Sequence, residues 1–159
     1  MKTIKELRIK ARRLPIAAED RAAYETRIKT PEGAAIAVRT LLDDCDVEKF
    51  VVIPLDAQNK PLGLAVAGQG SVDSCPVDPR EVFRPALLVG ASGVIVAHNH
   101  PSGDTRPSSE DLALTERLVK CGRLLGLPVL DHLIVTTHDH CSLREDHGYL
   151  WEEARNKAA

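Results

Sequence analysis

A chain of 159 residues, with 43% hydrophobic and 28% charged side chains, has the ordinary make-up of one soluble globular domain that buries about two-thirds of its unfolded surface. A net charge of −2 excludes a global basic field for recruiting nucleic acid. No apolar run approaches the roughly 18 residues that a membrane span needs. Aromatics amount to 3%, so the core must come from Leu, Val, Ile and Ala. The cysteines Cys45, Cys75, Cys121 and Cys141 form no C-x-x-C pair, and there is no apolar leader, so the chain reads as a reduced, cytoplasmic protein. Any metal must be held by His and carboxylates.

In chain order, the first 30 residues read as a charged arm, with Lys2, Lys5, Arg8, Lys10, Arg12 and Arg13 set against Glu6. The arm is a candidate for weak nucleic-acid contact. Thr30 then caps a helix with Pro31 at its first position. "FVVIPL", residues 50–55, reads as a strand, and "LGLAVAG" as a second strand pairing back across the turn "DAQNKPLG". Asp78 and Pro79 open another helix, with Pro85 as an interruption of its first turns. "GVIVAHNH" is a β-branched strand, "PSGDTRP" a loop, and Ser108 the cap of a long helix through Leu125, ended by Gly126 and Pro128. "VLDHLIVTT" is another buried strand, and the C-terminal tail adds a short helix. The order predicts an α/β fold, a mixed sheet flanked by helices.

The letters H-N-H at residues 98–100 spell the name of a nuclease motif, but residues of that motif are not consecutive in a chain. Alternation along a strand is the informative feature. Val94, Val96, His98 and His100 share one face, so two imidazoles converge at the strand's C-terminal end while Asn99 points away. Asp111 follows near the start of the next helix. It fits a capping box with Ser108, and it fits a third ligand. It lies on a stripe with Leu114, Leu118, Cys121 and Leu125, and a core-facing carboxylate favours metal binding. Two histidines and a carboxylate leave an open position on Zn²⁺, which lowers the pKa of bound water to about 7. Glu48, Glu81 and Glu110 are the carboxylates available to shuttle a proton.

The string "HNHPSGDTRPSSED" matches the H-x-H-P-x(6)-S-x(2)-D core of the JAMM (MPN+) metalloproteases at every spacing. With "REVFRPALL", "LLGLPVLDHLIV" and "SLRE", residues 30–150 resemble the JAB/MPN domain of the bacterial RadC family, which implies a cytidine-deaminase-like architecture. Residues 1–29 then form the arm and 151–159 a C-terminal tail. The resemblance implies zinc ligation by His98, His100 and Asp111. It implies Ser108 as an oxyanion donor and Glu48 as the base that activates water. The implied reaction is hydrolysis of a peptide or isopeptide bond in a protein substrate. RadC proteins typically also carry a helix-hairpin-helix region associated with DNA. The segment ahead of Glu48 is too short for one, which weakens a DNA-repair role. The alternative is an accessory or nuclease-like module with a structural or vestigial zinc site.

Five further residues read differently. His138 and His140 form a second H-x-H with no following ligand, and belong to an exposed loop. Asp131 and His132 are either supports for the site or a satisfied buried pair. Cys75 has no cation beside it and reads as an incidental thiol.

Overall fold

The computed structural model describes residues 25–42, 45–70 and 77–156; the basic arm of residues 1–13 and Cys75 lie outside them. The described elements are α1 (Pro31–Leu42), β1 (Lys49–Leu55), β2 (Ala65–Gln69), α2 (Pro79–Leu88), β3 (Gly93–Asn99) and α3 (Ser109–Leu124). After them come β4 (Val129–Val135), β5 (His140–Ser142), α4 (Leu143–Asp146) and α5 (Tyr149–Asn156). Five strands form one sheet in the order β2-β1-β3-β4-β5. β3 and β4 are parallel and joined through α3, while the other neighbours are antiparallel. The mixed α/β sheet expected from the element order is the observed one. Among the described residues no helix is long and apolar enough to cross a membrane.

Every residue of β3 is buried, because helices cover both faces of the sheet. Alternation sorts the side chains between two cores. Val51, Ile53, Ile95, Ala97, Leu133 and Val135 pack on α1 through Ala34, Ala37, Val38 and Leu42. Phe50, Val52, Val94, Val96 and Ile134 pack on Val82 and Phe83 of α2, Leu118 and Val119 of α3, and Trp151 of α5. Trp151 also donates its indole N–H to the Val129 carbonyl at 2.7 Å. The boundary drawn at residue 150 therefore falls inside α5, and this aromatic belongs to the core.

Three local expectations are corrected. Pro85 does not interrupt α2, which runs from its Asp78 cap and Pro79 through Leu88. β2 starts at Ala65 rather than Leu62, since Leu62 is spent on an N–H···O bond to Pro54 and Gly63 sits at φ 155°. The buried stripe of α3 is Asp111, Thr115, Leu118, Val119 and Gly122, not the series through Leu114 and Leu125. Leu125 is 48% exposed.

Gly122 explains how closely α3 approaches β4. A Cβ there would stand 2.6 Å from the Leu127 carbonyl oxygen and 3.3 Å from the Phe83 ring. Gly122→Ala gains about 1 kcal/mol of helix propensity. The clash with backbone outweighs that gain, and the expected net loss of stability is about 1–2 kcal/mol. Urea unfolding of the variant measures it, and an unchanged or raised midpoint would contradict this packing.

Candidate metal centre

His98 is the last inward-facing residue of β3, paired with Phe50 of β1 and Ile134 of β4 in the sheet. It is fully buried on the face that α3 covers. His100 follows two residues later at the strand exit and is half-buried. The loop then reverses: Gly103, at φ 80°, donates its N–H to the His100 carbonyl at 3.0 Å. That left-handed conformation suits glycine. It brings the Asp104 carbonyl within 2.7 Å of His100 Nδ1. A carbonyl only accepts, so His100 carries its proton on Nδ1 and turns Nε2 toward α3.

At the start of α3 the capping box and the ligand position prove compatible, because a carboxylate has two oxygens. Asp111 Oδ2 accepts the Ser108 N–H at 2.8 Å and the Ser108 hydroxyl at 2.7 Å, while the Ser108 oxygen accepts the Asp111 N–H at 3.1 Å. Asp111 Oδ1 stands 3.1 Å from His98 Nε2. His98 Nε2 lies 3.0 Å from His100 Nε2, and His100 Nε2 lies 3.5 Å from Asp111 Oδ2. A tetrahedral ion with bonds of about 2.05 Å spaces its ligand atoms by roughly 3.3 Å, so these donors fit a cation of that size. His98, His100 and Asp111 form the one such cluster among the described residues.

The electrostatics point the same way. Burial alone would raise the Asp111 carboxyl, but the His100 and His98 rings hold it far below the usual carboxylate range. His100 is raised, chiefly by Asp111 and against its own burial. Glu48 is raised by burial first; its charged neighbours are His98, Asp111 and His100. It therefore faces the cluster. The register explains why: Phe50 pairs with His98, so Glu48, two residues earlier on the same face, falls beside the exit where His100 stands.

The model of the RadC-like JAB domain matches residues 28–149. The chain belongs to the RadC family. A UPF0758 protein of Finegoldia magna is 39% identical over 118 residues, covering 74% of this chain and 53% of that protein. One of Bacillus cereus is 41% identical over 127 residues, covering 79% and 56%, and one of a Picosynechococcus species is 43% identical over 125 residues, covering 79% and 51%. The chain spans about half the length of the curated relatives it matches. The five-stranded mixed sheet is consistent with the JAB/MPN fold of that family.

In this RadC chain the other expected residues fall as follows. Glu81 pairs with Arg84 on α2, and Glu110 is exposed and accepts the Ser109 hydroxyl; neither is among the charged neighbours of Glu48. His138 is exposed in a turn closed by Thr136 and Asp139, as expected, but His140 opens the unforeseen strand β5 and is half-buried. Asp131 and His132 are linked through the backbone, the Asp131 carboxylate accepting the His132 N–H at 2.7 Å, while their side chains serve different partners. Asp131 accepts the Ser142 hydroxyl at 2.8 Å and the Arg144 N–H at 3.1 Å, tying β4 to the turn into α4. His132 faces the opposite way, toward His98 at 2.9 Å.

Two functional side chains were missed. Asn99, set aside as facing away, accepts the Lys49 N–H at 2.8 Å and donates to the Val47 carbonyl at 3.1 Å. It clamps the backbone on both sides of Glu48. The middle letter of H-N-H thus aims the glutamate while its neighbours converge on the other face. Thr115, one helical turn past Asp111, contacts His132. No local pattern marks either residue, since each acts across the sheet.

Proposed function

We propose that this chain is a zinc-dependent hydrolase that cleaves peptide or isopeptide bonds in a cytoplasmic protein substrate. The observation that carries this reading is the convergence of His98 Nε2, His100 Nε2 and Asp111 Oδ1 beside a half-buried glutamate. Two imidazoles and one carboxylate form a set with room for a further ligand, the pattern of catalytic rather than structural zinc. Zinc held there would supply Lewis acidity toward a carbonyl and acidify a water molecule.

The chain's own residues do the rest. Glu48, raised by burial, accepts the proton of the attacking water and then delivers it to the departing amine nitrogen. Asn99 holds the backbone from which Glu48 projects. Ser108 is exposed at the rim, with its hydroxyl proton directed onto Asp111 Oδ2, so its supported part is to orient the ligand. Donation to an oxyanion requires that proton to turn away from Asp111. A shallow pocket beside His100, lined by Leu42, Cys45, Pro101 and Thr136, offers a place for a substrate side chain.

The test begins with purified protein and its bound zinc. Fluorogenic linear peptides and isopeptide-linked substrates are then assayed before and after chelation. Cleavage lost on chelation and restored by zinc is the expected result. Protein that neither retains zinc nor regains any cleavage with it would sink the proposal.

A further inference from the structure

Behind His98 runs a buried series of hydrogen bonds whose direction is set by simple chemistry. Thr115 Oγ1 lies 2.6 Å from the Asp111 carbonyl, which can only accept, so the hydroxyl proton is committed there. The same oxygen lies 2.6 Å from His132 Nδ1 and must therefore accept from it. His132 is fully buried, and its ring nitrogens meet Thr115 and His98 rather than a carboxylate, so a second ring proton would leave an unpaired charge in the core. Its Nε2 thus offers a lone pair, 2.9 Å from His98 Nδ1, and His98 donates to it. One orientation remains for His98: proton on Nδ1, lone pair on Nε2 facing His100 and Asp111.

We propose that Thr115 and His132 are positioning residues of the metal centre, locking His98 into the tautomer that presents Nε2 to the ion. The inference rests on the metal-binding reading of the site. The relay starts at the Asp111 backbone, crosses from α3 to β4, passes to β3, and returns to the Asp111 carboxylate at 3.1 Å. Ligands from two elements are thereby held as one unit. Without the relay either imidazole nitrogen of His98 can carry the proton, and the wrong choice places an N–H where a ligand lone pair is needed. Phe50 completes the mount by stacking on the His98 ring at 5.9 Å, with 9° between the planes.

The experiment compares the wild-type chain with Thr115→Val and Thr115→Ser. Valine keeps the buried volume and removes the hydroxyl; serine restores it. Zinc affinity is measured by competition with a chromophoric chelator, and imidazole protonation by long-range ¹⁵N–¹H correlation on metal-free protein. The expected loss in Thr115→Val is about 10–100-fold in zinc affinity, the usual range for outer hydrogen bonds to a ligating histidine. Thr115→Ser should recover most of that loss. Metal-free wild type should show His98 and His132 each protonated at Nδ1, with mixed tautomers in Thr115→Val. Valine binding zinc as tightly as wild type would overturn the relay alone. Wild type that binds no zinc would overturn the metal centre and this role with it. If Thr115→Val fails to fold, the wild-type spectra decide: a His98 ring without a proton on Nδ1 refutes the proposal.

Discussion

Asp111→Asn is expected to fold and to lose its zinc. The amide offers one acceptor where the carboxylate offers two. Kept on the Ser108 N–H and hydroxyl, that acceptor preserves the cap, and the NH₂ group is then turned toward His98 and His100. A donor in that place satisfies the imidazole lone pairs and excludes a cation. Zinc affinity should fall by more than the about 10–100-fold typical of outer-sphere changes. Asp111→Ala also removes the carboxylate half of the capping box, leaving the Ser108 N–H without its acceptor, and should cost about a further 1 kcal/mol of stability. Thermal unfolding with and without zinc separates the two effects. Zinc at a hundred times its dissociation constant stabilises the wild type by about 2.7 kcal/mol. For a domain of this size that corresponds to about 5–11 °C in Tm. Asp111→Asn should show no such shift while melting close to the metal-free wild type. A zinc-dependent shift of wild-type size in the asparagine variant would remove Asp111 from the ligand set.

The legible part of this site was the part that local geometry controls. His98 and His100 share a face because strand side chains alternate, and Ser108 meets Asp111 because three helical positions separate them. Both relations are short in sequence, so the spacing alone reveals them. The choice between cap and ligand for Asp111 was posed too sharply: the carboxylate serves both, with Oδ2 on the Ser108 cap and Oδ1 turned to His98. The helix stripe was misplaced by one position, since Leu114 and Leu125 are more apolar than Thr115 and Gly122. What α3 needs against β4 is closeness at Gly122 and a hydroxyl for His132, and hydrophobicity signals neither. Asn99 was illegible for a further reason, and the same reason left His132 open between a support for the site and half of a buried pair. Their partners lie 50 and 34 residues away, and only the register of β1 and β4 against β3 brings them together.

Glu48→Gln should leave the zinc in place and remove turnover. The glutamine is nearly the same size, and Glu48 belongs to no ligand set, so metal content and the zinc-dependent shift in Tm should match the wild type. What the amide lacks is basicity. Loss of a general acid–base group of this kind costs about 10²–10⁴ in rate. The pH profile offers an independent check. Burial raises the Glu48 carboxyl above its ordinary 4.5, so the acid limb of the wild-type profile should lie above that value. The sign follows from the base form being the active one: activity is present above the raised pKa and is lost as pH falls through it. In Glu48→Gln the residual rate should lose that limb. Asn99→Ala releases the backbone on both sides of Glu48 without touching its carboxyl. It should therefore lower turnover while leaving zinc affinity intact. Full hydrolytic turnover in Glu48→Gln would show that the proton moves by another route. Unchanged metal binding joined to lost turnover instead assigns proton transfer to Glu48 and binding to His98, His100 and Asp111, a division that a purely structural zinc site would have no reason to show.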